Sequence, residues 1–128
     1  MSTLKADTIQ STSGGAATLT KQHAAKAWSN FNGTGTPALR DSFNISSISD
    51  DAAGKYTTSY TSAMSDANYS LSSVGGTRDV GESTTKVIIY DADDTFTASA
   101  TQMRFISRSD DTDTDNTHGF TQIHGDLA

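Results

Sequence analysis

Residues 56–64 alternate with period two. Tyr56, Thr58, Tyr60, Ser62 and Met64 fall on one side of an extended chain, and Thr57, Ser59 and Thr61 on the other. A helix cannot present that pattern, because its faces recur every three to four residues. Similar runs follow along the chain. Phe43 and Ile45 alternate with polar residues up to Ile48, and Asp50-Asp51-Ala52-Ala53-Gly54 then supplies a turn, so residues 43–64 read as a hairpin. Residues 67–71 lead to a Gly75-Gly76 turn, and Lys86-Val87-Ile88-Ile89-Tyr90 is the continuous apolar run of a buried strand. Strands are also expected over 96–98, 103–106 and 120–124. Short strands between turn signals, with no helical period beyond residue 28, predict an all-β fold: an antiparallel β-sandwich, jelly-roll-like.

Little material is available to fill it. Five Leu, seven Ile, three Val and five Phe make 20 of the 128 residues, whereas Ser and Thr make 38. The length suits one domain. A domain with so small a core is expected to complete it against other subunits. The net charge is -6 with only nine Lys and Arg, scattered along the chain, which argues against nucleic acid and against anionic membranes as partners. No window reaches the length of an apolar membrane span. No basic stretch followed by an apolar run opens the chain, so no secretion signal is expected. Without Cys there is neither a disulfide framework nor thiolate chemistry.

The N-terminal part differs from the rest. Residues 1–28 read as an extended arm and 29–128 as the sandwich domain. Within the arm Leu4, Ile9 and Leu19 are the scarce apolar anchors, Gly14-Gly15 is a joint, and residues 21–28 form either a short helix or the lead into a strand. Trp28 and Phe31 are the first strong core candidates. A segment that cannot bury itself is expected to be buried by a partner. Leu4, Ile9, Leu19, Trp28 and Phe31 are therefore the candidate attachment and oligomerisation residues.

Motifs that would carry chemistry are sparse. Asp111, Asp113 and Asp115 have the spacing of the first half of a calcium loop, in which alternating carboxylates point at one hard cation. The match stops there: Asn116 stands where the loop needs Gly, and Gln122 where it needs a bidentate Glu. The favoured reading is a solvated acidic loop, and structural Ca²⁺ is the one ion these residues would take. Asp91-Ala92-Asp93-Asp94 reads the same way. His118 and His124 share a face of a regular strand, with Asp126 nearby, and His23 stands apart; they are read as surface or interface residues. No G-x-S-x-G elbow or helix-linked phosphate loop is present, so neither an enzyme nor a cofactor is expected. Tyr56 and Tyr60 share a face and suit either a core aromatic ladder, the favoured reading, or stacking on sugar rings.

Several segments resemble, in order, small virion proteins of marine tailed phages (cyanophage-like) of the tail-fibre or head-appendage type. They are Leu4-Lys5-Ala6-Asp7-Thr8-Ile9-Gln10, Gly14-Gly15-Ala16-Ala17-Thr18-Leu19-Thr20, Ala24-Ala25-Lys26-Ala27-Trp28-Ser29-Asn30-Phe31-Asn32-Gly33-Thr34-Gly35, Asp41-Ser42-Phe43-Asn44-Ile45-Ser46-Ser47-Ile48, Gly54-Lys55-Tyr56-Thr57 and Ala63-Met64-Ser65-Asp66-Ala67-Asn68-Tyr69. The resemblance covers roughly the first 70 residues; the remainder matches only in β character and in the terminal His124-Gly125-Asp126. It implies a non-enzymatic structural protein on the virion surface, made in the host cytoplasm and in contact with the major capsid protein or tail proteins. The absence of shaft repeats and coiled-coil heptads favours a homotrimeric head decoration (cement) or short head-fibre protein. The alternative is a tail-fibre or tail-tip protein that adheres to host surface glycans, and a polysaccharide hydrolase is a more distant one.

Overall fold

The computed structural model describes residues 12–13, 24–76, 85–89, 96–107 and 111–128, with 85–89 described by their backbone alone. The expected anchors Leu4, Ile9 and Leu19, as well as His23 and the acidic turn 91–94, lie outside the described residues. The strands are β1 (Ala27–Asn32), β2 (Ala38–Phe43), β3 (Ile45–Ala52), β4 (Lys55–Tyr60), β5 (Ser70–Gly76), β6 (Thr85–Ile89), β7 (Ala100–Ser107) and β8 (His118–His124). Every pairing is antiparallel, in the order β2-β1-β8-β5-β6-β7-β4-β3. The chain is an all-β antiparallel sandwich, in which the β2-β1-β8-β5 layer faces the layer made by β7, β4 and β3.

Sequence period sets which residues meet between the layers. Along β4, β7 and β8 buried residues alternate with more exposed ones, as a half-buried strand requires. At one end of the core Phe31 of β1 meets Tyr56 of β4 and Phe105 of β7. These three rings pack edge to face with centroids 5.2, 6.2 and 5.9 Å apart, and Met103 joins them. Such ring pairs contribute about 0.5–1.5 kcal/mol each beyond their burial. At the other end Ala27, Ile45, Tyr60, Met64 and Ile123 form a second cluster, and Leu39 and Leu71 touch both. Gly119 lets β8 approach the Phe31 ring, because a Cβ there would collide with it.

Asn44 makes the corner where the chain passes from β2 in one layer to β3 in the other. It takes a left-handed conformation, φ 56°, which Asn tolerates better than most residues. Its Nδ2 donates to the Lys26 and Ser62 carbonyls, and its Oδ1 accepts the Ser62 N–H. One side chain thus satisfies three backbone groups from two segments. The hairpin expected over 43–64 is narrower in fact. β3 and β4 pair around Gly54, and the corner at Asn44 separates Phe43 from them. Of the readings open for residues 21–28, the described part, from Ala24 on, bends at Ala24 and Lys26 and enters a strand at Ala27, with the Lys26 N–H donating to the Ile123 carbonyl, 2.7 Å.

Candidate functional site

Trp28 and Phe31 stand three apart on β1, so a strand must send them to opposite faces. Phe31 points inward and is fully buried, which makes it a core residue that no partner can reach. Trp28 points outward and is half-buried. The outer face of the β2-β1-β8-β5 layer follows from the register. Phe43, Trp28, Gln122 and Ser72 form one row across the four strands, and Asp41, Asn30, Phe120 and Val74 form the next. Directly opposed side chains in such rows have Cβ atoms about 4.5–5.5 Å apart.

Three of these residues are unusually open for their type: Val74 is 53% exposed, Phe43 52% and Phe120 42%. Phe120 carries the His118 ring stacked on it, centroids 6.3 Å apart and planes at 25°. Val74 and Phe120 also line a shallow cleft of about 300 Å³ with Ser72, Ser73, Thr121 and Gln122. Polar groups sit among the apolar ones. The Asn30 Oδ1 is buried and has no hydrogen-bond partner among the described residues. Contiguous apolar surface with polar groups at its margin marks a place where another molecule packs. The sequence signal was the odd spacing of Trp28 from Phe31 and of Phe120 from Ile123, since each pair must divide between inside and outside.

The remaining candidates are dispersed. Tyr56 and Tyr60 are buried in the two core clusters. Desolvation raises the hydroxyl pKa of both well above the usual tyrosine range; for Tyr56 the neighbouring Asp115 carboxylate adds to this, and the Asn116 backbone N–H opposes it. The three aspartates of the acidic loop do not converge on one point. Asp113 pairs with Arg104, its Oδ1 2.6 Å from Nε. Asp115 turns inward, where its Oδ1 accepts the Gly54 N–H at 2.8 Å and lies 3.0 Å from the Tyr56 hydroxyl. Asp111 is exposed, in a left-handed conformation with φ 54°.

His118 and His124 do share the outer face of β8, at its two ends. His124 lines a polar cleft of about 380 Å³ with Ser65, Asp66, Asn68, Ser70, Gly125 and Asp126. Among the described residues no three His, Asp or Glu side chains are grouped to hold a metal ion. No helix among them is long and apolar enough to cross a membrane.

Comparison with protein-family models, with curated proteins and with solved structures finds no match to this chain. Among the described residues, the outer face of the β2-β1-β8-β5 layer is the most developed candidate site.

Proposed function

We propose that the chain is a non-enzymatic structural protein of a tailed-phage virion, a homotrimeric head decoration or short head-fibre subunit. The observation that carries this reading is the open face bearing Phe43, Trp28, Phe120 and Val74 on a domain with a modest core of its own. A subunit that assembles by symmetry needs such a face, because repeated modest contacts then supply the stability that one small core lacks. The order of the N-terminal segments supports the virion setting, and the polar, mildly acidic surface suits a particle exterior. The glycan-adhesion alternative draws no support from Tyr56 and Tyr60, since both are enclosed.

Immunogold labelling of purified particles, with quantitative mass spectrometry of the copy number, tests the reading. Label over the heads, at a copy number that scales with the capsid subunits, is expected. Label at the tail with the few copies of a fibre would replace it with the tail-tip alternative. Absence from particles would end both.

A further inference from the structure

We propose that residues 2–20 of a neighbouring copy cover the outer face of the β2-β1-β8-β5 layer, so that each subunit is completed by the arm of the next. This deepens the assembly reading above and rests on it. The face has apolar groups in adjacent ladder rows, Phe43 beside Trp28 and Phe120 beside Val74, and Phe43, Val74 and Phe120 stay largely exposed even with the His118 ring stacked on Phe120. The arm has the converse problem. Leu4, Ile9 and Leu19 lie among Ser, Thr, Ala and Gly, too few to bury one another.

Length favours a neighbour over the arm's own domain. The chain enters the layer at Lys26, whose N–H bonds the Ile123 carbonyl, at the Trp28 end of the face. The residues between the turn at Thr12–Ser13 and Ala24 alone span up to about 33 Å when extended. Four strands side by side span only about 15 Å. The arm is therefore long enough to leave its own domain and cross the face of the next.

The chain's one Trp stands on this face, so its emission reports whether the face is covered. The experiment compares three full-length proteins by light scattering and Trp28 fluorescence across a dilution series. They are the wild type, an arm variant carrying Leu4→Ser, Ile9→Ser and Leu19→Ser, and a face variant, Val74→Asp. The wild type is expected to be an oligomer with blue-shifted emission. Both variants should keep the β-sheet circular dichroism, dissociate at concentrations at least about tenfold higher, and show red-shifted emission. A synthetic peptide of residues 2–20 added to the arm variant should restore the blue shift.

Three results would overturn the proposal. An arm variant that stays associated with Trp28 shielded means that a second domain, not the arm, covers the face. A monomeric wild type whose Trp28 loses its shielding only in the arm variant means that the arm folds onto its own domain. Trp28 emission that is the same in all three proteins and indifferent to the peptide means that the arm does not bind there. Particle location is measured separately, so failure here leaves the virion reading to stand or fall on its own test.

Discussion

Tyr56 joins three parts of the chain through one hydroxyl. The oxygen accepts the Asn116 N–H at 3.3 Å, and it lies 2.9 Å from the Gly33 carbonyl and 3.0 Å from Asp115 Oδ1, which share its single proton. The same carboxylate oxygen takes the Gly54 N–H, so the β3–β4 turn is tied to the loop ahead of β8. Tyr56→Phe keeps the ring in the aromatic cluster and removes these links. It should cost about 1–3 kcal/mol in urea denaturation, with the circular dichroism of the fold unchanged. Gly54→Ala should cost at least as much: φ is 67°, and a Cβ would lie 2.5 Å from the Phe105 carbonyl oxygen and 2.7 Å from the Thr114 nitrogen. Burial also gives the fold an alkaline limit. Tyr56 and Tyr60 keep their protons in the folded state well above the unfolded value of about 10. Their contribution to stability is complete below pH about 10 and is lost as pH climbs above it, because only the unfolded chain releases those protons there. A titration following tyrosinate absorbance together with circular dichroism should show Tyr56 and Tyr60 ionising only as the sheet is lost. Ionisation of Tyr56 and Tyr60 near pH 10 with the sheet intact would contradict this.

At the scale of elements, β1 and β8 are joined inside the sandwich by a polar contact in a place that apolar residues usually fill. Ser29 Oγ and Thr121 Oγ1 lie 2.7 Å apart, both buried and directly opposite in the ladder. Removing one partner strands the other, so Ser29→Ala and Thr121→Val should each cost about 1–3 kcal/mol, whereas the double variant should cost less than the sum of the two. A double-mutant cycle in urea measures the difference, and strict additivity would mean that the hydroxyls are not coupled. Period two made most strands legible, β4, β7 and β8 above all, because each has one face in the core. It could not say which of Trp28 and Phe31 turns inward. That choice depends on which face of β1 the opposite layer covers, a fact supplied by Tyr56 and Phe105 far along the chain. Asp115 was opaque for the same reason. Its local spacing resembles half of a cation loop, but its partners, Gly54 and Tyr56, belong to the distant hairpin.

For the molecule as a whole, the described residues bury two modest clusters and leave a third apolar group facing outward. The inward clusters set the stability of one domain; the outward group sets how that stability responds to other copies. These contributions separate by mass action, because association stabilises only the folded state and does so more strongly as protein concentration rises. The melting temperature of the wild type should therefore climb with concentration. Phe120→Ser alters a residue 42% exposed on the outer face, so it leaves both core clusters intact. Its effect on the isolated domain should stay within about 0.5 kcal/mol. Differential scanning calorimetry over a wide concentration range should then show two curves that meet at high dilution and diverge as concentration increases, with the variant nearly flat. Parallel curves offset at every concentration would instead assign Phe120 to the stability of the domain. A flat wild-type curve would remove the case for self-assembly through this face. The divergence has a further consequence for how the chain is built. Strengthening the inward clusters would raise both curves equally, whereas strengthening the outer face would raise only the concentrated end, where an assembling subunit needs its stability.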